Sequence, residues 1–467
     1  MNFRKILISF IFLSFSCFLS AKSPRYVFYF IGDGMGFNHV GAAMMYQSKN
    51  VADFSQSLVF TQFPVTGIVD TRSGSHYITD SSAGGTALAT GSKAINHSLG
   101  LDVNAHPVQS IIMNAQEKKW STGVVTSTSI DDATPASFYG HATDRNMYYE
   151  IGKQAASSGI NFLGGAGFKS YTNKENKSDP NLLEIFPKNN YDVFRGIQAY
   201  NKTKSFKKNV VLIPDREYAG TALPYVIDRQ EGDLTLWHLT TSAIEYFENT
   251  NAEKFMLVVE GGRIDHASHL NDGATMITEL IDFAKSVQLA YDFYVKHPEE
   301  TLIVLTADHE TGGLALGRTG TVMQLQSLTS QKASLGKLSG MINNLHQLKP
   351  AGVQWEDVVA LLTEQVGLWR DISVTAEDEE KLKVSYEQTF VTKTSKKIKT
   401  IYSIDEPMAV LAIEIINKYA NTGWTTNNHS GAYVPVFAIG AGAEVFSGLI
   451  DNTDIPEKIT QITGLKK

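Results

Sequence analysis

Short runs of branched and aromatic residues recur along the chain, and each run ends in glycine or polar residues. This pattern is typical of strands that are buried on both faces of a sheet. It predicts five strands, at residues 26–31, 123–126, 255–259, 302–306 and 434–439.

Helical periodicity appears between these runs, most clearly at residues 276–294 and 408–419. Apolar strands that alternate with helices are typical of a parallel sheet whose connecting helices cover both faces. We therefore expect an α/β fold with a mostly parallel central sheet and helices on both of its faces.

Two segments depart from this alternation. Residues 319–403 are polar with helix-like pieces at 355–366 and 376–383, which predicts an inserted region over the sheet edge or the mouth of a site. Residues 171–209 are rich in asparagine and lysine, so we expect long surface loops there. One catalytic domain is expected to span residues 22–467, with the inserted region included.

The first 21 residues have a pattern of their own. Arg4 and Lys5 precede an apolar run over residues 6–19, and small residues up to Ala21 follow it. This order is typical of a cleaved signal peptide, since the run is shorter than the roughly 20 residues that span a membrane. We expect a signal peptide at residues 1–21, a periplasmic or secreted protein, and no stable membrane anchor. A membrane anchor and lipid attachment at Cys17 are the alternatives.

Composition narrows the function classes. The 467 residues carry a formal net charge of −7 and include 12 histidines and one cysteine. The charges are spread along the chain, which argues against the basic surface of a nucleic-acid-binding protein. Because the one cysteine is Cys17, a metal ion in the mature protein would have to bind histidine and carboxylate side chains.

Two adjacent serines follow Asp80 in the stretch DSSAGGT. Either Ser81 or Ser82 is a candidate nucleophile, but a serine hydroxyl needs a base, a lowered pKa or a metal ion before it attacks. The stretch lacks the patterns G-x-S-x-G and S-x-x-K, which provide activation in other hydrolases. The activating group must therefore come from elsewhere in the chain.

Carboxylates and histidines follow three of the predicted strands at their carboxyl ends, where open α/β sheets bind ligands, and one more histidine precedes the fifth strand. They are Asp33 after the first strand, Glu260, Asp265 and His269 after the third, Asp308 and His309 after the fourth, and His429 before the fifth. Each residue alone is also explained by helix capping, a surface pair, a loop or a turn. Together they offer the ligands of catalytic zinc, and carboxylate with hydroxyl suits magnesium. Two metals about 4 Å apart would clamp a phosphoryl group, and one beside Ser81 would deprotonate it.

Six blocks make a resemblance specific. They are FIGDGMG, TDSSAGGTALATG, DDATPASFYGHATDR, VVEGGRIDHASHLND, TADHETGG and NHSGAYVPV. In this order the chain resembles the alkaline phosphatase family from residue 26 to residue 439, apart from its insertions.

The resemblance implies a secreted metal-dependent phosphomonoester hydrolase with a phosphoserine intermediate, two zinc ions and one magnesium ion. Ser81 would be the nucleophile, Ser82 a hydroxyl at the helix N-terminus, and Arg145 the group that grips phosphate. The implied metal ligands are Asp33, Asp308 and His309 for one zinc, Asp265, His269 and His429 for the other, and Asp33, Thr134 and Glu260 for magnesium. Arg263 is the rival of Arg145 and is expected to be structural.

Asp132 and His266 occupy positions that vary in the family, so the resemblance leaves the metal preference of the third site open. A phosphodiesterase and a secreted metal- or phosphate-binding protein without turnover are the rival functions. The match at Arg145 favours monoesters, and the complete ligand set favours an enzyme. We expect small phosphomonoesters as substrates and, by analogy with most relatives, a homodimer.

Overall fold

The computed structural model describes residues 23–48, 58–203 and 205–465. The predicted signal peptide, with Cys17, lies outside these ranges. The strands are β1 (Tyr26–Ile31), β2 (Val65–Asp70), β3 (Ser121–Thr126), β4 (Phe162–Gly164), β5 (Tyr191–Arg195), β6 (Asn209–Ile213), β7 (Phe255–Glu260), β8 (Thr301–Thr306), β9 (Glu310–Thr311), β10 (Leu314–Leu316), β11 (Ile398–Lys399), β12 (Ile404–Asp405), β13 (Thr422–Trp424), β14 (His429–Ser430), β15 (Val434–Gly440) and β16 (Gly448–Asp451).

Helices connect and cover these strands. They are α1 (Phe37–Gln47), α2 (Ser81–Thr90), α3 (Ile111–Glu117), α4 (Ala133–Ala136), α5 (Tyr148–Ser157), α6 (Leu182–Lys188), α7 (Ile197–Asn201), α8 (Leu236–Asn249), α9 (Arg263–His269), α10 (Gly273–Lys296), α11 (Leu335–Leu348), α12 (Trp355–Val366), α13 (Ala376–Tyr386), α14 (Pro407–Tyr419) and α15 (Asp454–Thr463).

Ten strands form one sheet in the order β16-β2-β15-β8-β1-β7-β3-β4-β6-β5. Within it β15 runs antiparallel to its neighbours β2 and β8, and the other neighbouring pairs are parallel. The mixed α/β fold with a mostly parallel central sheet is therefore confirmed.

The central strands place the candidate ligands at one edge of the sheet. Ile31 at the end of β1 pairs with Glu260 of β7 on one side and with Thr306 of β8 on the other. The carboxyl ends of the three strands are therefore level, and the residues that follow them meet. All the residues of β7 and β8 are buried, which explains why these runs are continuously apolar rather than alternating.

The five predicted strands are present, and their observed ends differ from the predicted ones by at most two residues. The prediction of long surface loops at residues 171–209 was wrong, because the segment contains α6, β5 and α7 and ends at the first residue of β6. β5 is the outermost strand of the sheet, and four of its five residues are not fully buried. Such an edge strand lacks the continuous apolar run that identified the central strands.

The inserted region, residues 319–403, contains α11, α12, α13 and strand β11. Its buried apolar residues, among them Leu338, Ile342 and Leu362, belong to the same hydrophobic core as the sheet. The helix-like piece predicted at residues 355–366 is α12, and the piece at 376–383 lies within α13.

Within the described ranges, no helix is both long enough and apolar enough to cross a membrane.

Candidate metal centre and active site

The serine stretch forms the start of α2. Asp80 is the N-cap residue, and its Oδ1 accepts a hydrogen bond from the Ala83 N–H at 3.0 Å. Gly84 lies against the backbone after β8, since a Cβ at this position would stand 3.0 Å from the Asp308 carbonyl oxygen. Small residues therefore allow the helix N-terminus to approach the polar end of the sheet.

The two serines have different surroundings. The Ser81 hydroxyl is buried and lies 3.2 Å from His309 Nε2. The Ser82 hydroxyl donates to Asp80 Oδ2 at 2.7 Å, which places it in the capping network of the helix. Ser81 is thus the serine that faces the histidines and carboxylates.

Hydrogen bonds fix which nitrogen of two histidines is available as a ligand. The Nδ1 of His269 contacts the Asn427 carbonyl at 2.6 Å, and the Nδ1 of His429 contacts the Thr79 carbonyl at 2.8 Å. A carbonyl only accepts, so each Nδ1 must carry the hydrogen and each Nε2 of the neutral ring is a lone-pair donor.

His309 follows the same rule through Thr311. The Thr311 hydroxyl donates to Asp265 Oδ1 at 2.5 Å and lies 3.2 Å from His309 Nδ1, from which it accepts. The Nε2 lone pair of His309 is therefore directed at its other neighbours, which include Ser81. The sequence analysis missed Thr311, although it stands inside the block TADHETGG.

Asp265, His269 and His429 converge on one point. His269 Nε2 lies 3.3 Å from Asp265 Oδ1 and 3.1 Å from His429 Nε2, and His429 Nε2 lies 3.7 Å from the same carboxylate oxygen. A tetrahedral zinc ion with bonds of about 2.0–2.1 Å keeps its ligand atoms roughly 3.3 Å apart. When both rings are neutral, their Nε2 lone pairs face each other at 3.1 Å, an arrangement that either a proton or a metal ion between them relieves. With the Asp265 carboxylate beside them, this donor set fits a metal ion.

A second set surrounds the Nε2 of His309. Asp308 Oδ2 lies 3.2 Å from this nitrogen and Asp33 Oδ1 lies 3.4 Å from it. Asp33 Oδ1 is buried and has no hydrogen-bond donor among the described residues. This orphaned oxygen beside two further ligand atoms also fits a cation. A ring nitrogen of His309 also lies within 4.8 Å of ligand atoms of Asp265 and His429, so this histidine stands between the two sets.

The other oxygen of Asp33 faces a third group. Its Oδ2 accepts from the Thr134 hydroxyl at 3.3 Å. Glu260, the last residue of β7, is buried and accepts from the hydroxyls of Thr126 and Thr128. Asp33 therefore stands between the nitrogen-containing set and an all-oxygen set.

Burial and the repulsion between neighbouring carboxylates raise the pKa of several of these carboxyl groups. Burial raises the pKa of Asp308 to about 8 and of Glu260 to about 7. Burial raises the pKa of Asp33 well above its ordinary value, and the charge of Asp308 adds to this effect. Divalent cations would stabilise the ionised form of these neighbouring carboxyl groups. The raised pKa values therefore agree with the donor geometry.

The histidines respond to the same surroundings. Burial lowers the pKa of His309 well below its ordinary value and also lowers that of His429, so both rings are neutral near pH 7. Burial acts on His269 in the same direction, but the Asp265 carboxylate outweighs it and the pKa of His269 is raised. His269 is therefore the ring at which a proton competes most with a metal ion.

Arg145 reaches the site between two carboxylates. Its guanidinium lies 3.5 Å from Asp80 Oδ2 and 3.2 Å from Asp132 Oδ1. The Lys169 ammonium binds the other oxygen of Asp132 at 2.8 Å. The sequence analysis missed Lys169, because nothing in its local sequence marks it. Arg263 lies over the Tyr225 ring at 3.4 Å and contacts His266 Nδ1 at 2.8 Å, which places it beside the ligands.

The ten predicted site residues thus lie around the carboxyl ends of β1, β7 and β8, and their individual roles stay predictions. Together they present a buried nucleophile candidate, two nitrogen-containing donor sets, an all-oxygen set and a fixed guanidinium. This arrangement suits metal-assisted transfer of a phosphoryl group.

Comparison with known proteins agrees with this chemistry. The family model for alkaline phosphatase matches residues 24–465. Alkaline phosphatase 4 of Bacillus subtilis is 33% identical over 442 residues, covering 92% of this chain and 87% of that protein. The repressible alkaline phosphatase of Saccharomyces cerevisiae is 25% identical, covering 96% of this chain and 82% of that protein. The structure of a cold-active alkaline phosphatase from a psychrophilic Shewanella species superposes with a TM-score of 0.77 at 30% identity, covering 94% of this chain and 100% of that one. The chain belongs to the alkaline phosphatase family and is a metal-dependent hydrolase of phosphoric monoesters.

Proposed function

We propose that this enzyme works through a phosphoserine at Ser81, in a site with two zinc ions and one magnesium ion. The observation that supports this most is the convergence of three histidine Nε2 lone pairs and buried carboxylates beside the Ser81 hydroxyl. Nitrogen with carboxylate oxygen is the ligand set of catalytic zinc, and oxygen ligands alone suit magnesium.

Three sets of residues would hold these ions. They are Asp265, His269 and His429 for one zinc, Asp33, Asp308 and His309 for the other, and Asp33, Thr134 and Glu260 for magnesium. When bound, such ions lower the pKa of a neighbouring hydroxyl or water and neutralise charge on phosphoryl oxygens.

In the first step the Ser81 oxygen attacks phosphorus. The Ser81 hydroxyl releases its proton to solvent as the bond from Oγ to phosphorus forms, the bond from phosphorus to the ester oxygen breaks, and the leaving alcohol takes a proton from solvent. Because Ser81 is the first residue of α2, the positive end of the helix dipole favours both the serine oxyanion and the phosphate.

In the second step a water molecule attacks the phosphorus of the phosphoserine. The bond from Oγ to phosphorus breaks, inorganic phosphate leaves, and Ser81 regains its proton. Arg145 would donate two N–H groups to phosphoryl oxygens in both steps, a task that suits the planar guanidinium. Asp80 and Asp132 hold this group from two sides before substrate arrives, which reduces the entropy lost on binding.

Two further parts of the proposal concern the whole protein. We infer export to the periplasm or the medium from Arg4, Lys5, the apolar run and Ala21, a segment outside the described residues. The homodimer stays a prediction from the resemblance. Small phosphomonoesters are the expected substrates, because the proposed steps act on the phosphoryl group and make few demands on the leaving group.

The test of this proposal is hydrolysis of a chromogenic phosphate monoester beside the matching diester at alkaline pH. Protein loaded with zinc and magnesium should cleave the monoester far faster, lose turnover on chelation, and regain it with zinc. Quenching at acidic pH should trap phosphate on the peptide that contains Ser81, as read by mass spectrometry. Dominant diester cleavage would contradict the monoester assignment, and labelling elsewhere would contradict the role of Ser81.

A further inference from the structure

The donor set of Asp265, His269 and His429 reaches solvent on one side. The side chains of Asp265 and His269 are each 1% exposed, whereas the side chain of His429 is 13% exposed. His429 is therefore the member of this set that borders the opening of the site.

The proposed function puts the leaving group of the substrate at this opening. In an in-line displacement the attacking oxygen and the leaving oxygen lie on opposite sides of phosphorus. The attacking Ser81 hydroxyl lies 3.2 Å from His309 Nε2, which belongs to the other donor set. The leaving oxygen then faces the set of Asp265, His269 and His429. The rest of the leaving group extends from there past His429 towards solvent.

An isoleucine stands beside His429 at the opening. The Thr79 carbonyl accepts the hydrogen bond from His429 Nδ1 at 2.8 Å, and Ile78, which precedes Thr79, is 45% exposed. Ile78 also lies close to Gly431, the second residue after His429, because a Cβ on this glycine would stand 3.8 Å from Ile78 Cγ1. The Ile78 carbonyl accepts from the Asn96 side chain at 3.1 Å. The backbone on both sides of this apolar side chain is therefore held in place.

An aromatic ring from the inserted region lies against a second member of the same donor set. Tyr402 stands in the turn between β11 and β12. The centroid of its ring lies 5.2 Å from that of His269, at an angle of 70°, and 3.8 Å from that of His266. The residue is half-buried, so part of the ring stays accessible. Two apolar groups that are far apart in sequence thus border the same donor set, at His429 and at His269.

Single exposed apolar side chains are common on protein surfaces and need no ligand to explain them. Here, however, both apolar groups lie where the leaving group must pass. An alkyl or aryl leaving group would remove apolar surface of the protein and of itself from water, which a polar leaving group such as glycerol does to a smaller extent.

We infer that the Ile78 side chain and the Tyr402 ring contact the leaving group and favour phosphate monoesters of apolar alcohols and phenols. This inference rests on the proposed function, which fixes the side on which the leaving group departs. The chemical steps themselves make few demands on the leaving group, so these contacts add a preference and still admit small polar esters.

The experiment measures kcat/KM for n-alkyl phosphates from ethyl to hexyl, with enzyme loaded with zinc and magnesium. The leaving alcohols have nearly the same pKa, so chain length changes the apolar contact and little else. In the parent, kcat/KM should rise with chain length. Ile78→Ser should lower the value for the hexyl ester by about 5-fold and that for the ethyl ester by less than about 2-fold. Tyr402→Ser should act in the same direction, whereas Tyr402→Phe keeps the ring and should behave like the parent.

A binding measurement accompanies the kinetics. The n-alkylphosphonates have no ester bond to hydrolyse, so calorimetric titration reports their affinity without turnover. Their affinity should rise with chain length in the parent and rise less in Ile78→Ser. Inorganic phosphate has no leaving group, and its binding, like the melting temperature and the metal content, should be the same in Ile78→Ser as in the parent.

Val295→Ser is the matched control, because Val295 is 60% exposed and lies in the last turn of α10, shortly before the amino end of β8. This variant should keep the chain-length dependence of the parent. A parent without chain-length dependence would overturn the inference, and so would equal losses for all esters and for inorganic phosphate in Ile78→Ser. A changed oligomeric state of Ile78→Ser with parental chain-length dependence would also overturn it, because Ile78 would then contact a second copy of the chain. Absence of turnover of every ester in the metal-loaded parent would instead refute the proposed function.

Discussion

The carboxyl edge of the sheet and the inserted region differ in how their chemistry is encoded. At the sheet edge, ligand candidates follow directly after strands, as Asp33 does after β1 and Asp308 does after β8. The inserted region is made of polar helices with exposed ion pairs, such as Lys381 with Glu377, and brings one aromatic residue to the site. The ligand candidates at the edge are local in sequence, whereas the contact of the Tyr402 ring with His266 and His269 exists only through tertiary packing.

The largest effect should come from the sheet edge itself, at the two serines of α2. Ser81→Ala removes the oxygen that faces His309, and kcat/KM should fall by about 10⁴-fold or more. Ser82→Ala removes only a bond to the capping carboxylate and should change kcat/KM by less than about 10-fold. Steady-state kinetics on both variants checks this. Equal losses would mean that the capping network, rather than the Ser81 hydroxyl, carries the activity.

The contrast between the sheet edge and the inserted region also explains how much of the fold and of the site the sequence alone predicts. The central strands were predictable because their apolar runs are continuous, and the ligand candidates because they follow β1, β7 and β8 or precede β15. β5 was missed because an edge strand need not be apolar on both faces. The tautomer of His309 depends on Thr311, and the place of Asp132 depends on Lys169, 37 residues away. Such pairings follow from packing, so no local pattern reveals them.

The next largest loss of activity is expected at Arg145, and the same substitution at Arg263 is the comparison. Arg145→Lys keeps a positive charge but loses the planar fork, so kcat/KM should fall about 100-fold, as for the loss of one or two charge-assisted hydrogen bonds. Arg263→Lys loses the contact with Tyr225 and should mainly lower the melting temperature. Kinetics beside thermal unfolding distinguishes the two outcomes. A larger kinetic loss in Arg263→Lys would reverse the assignment of the phosphate-gripping arginine.

A smaller effect is expected at Lys169, which is distant in sequence from Asp132 and pairs with it near the sheet edge. Lys169 and Arg145 lower the pKa of Asp132 below its ordinary value, against the opposing effect of burial. A depressed carboxyl pKa adds stability above the unfolded-state value of about 3.9, and this stability is lost as pH falls through the folded-state pKa.

Lys169→Met should therefore reduce the free energy of unfolding by about 1–3 kcal/mol at pH 7. The difference from the parent should shrink as pH falls below about 4. Denaturant unfolding at several pH values measures both the loss of stability and its pH dependence. Lys153→Met is a control, because Lys153 pairs with the exposed Glu150 within helix α5 at 2.9 Å. A loss of stability that is independent of pH would mean that packing, not the charge of Lys169, supports Asp132.

The smallest effect should come from an ion pair that joins the inserted region to α14. Lys418 of α14 binds Asp378 of α13 at 2.8 Å, and the lysine side chain is 44% exposed. Solvent screens such a pair, so Lys418→Met should cost less than about 1 kcal/mol of unfolding free energy and leave kcat/KM unchanged. Denaturant unfolding and monoester kinetics check the two quantities. A clear loss of kcat/KM would contradict this prediction, because it would mean that the joint between α13 and α14 supports the active site.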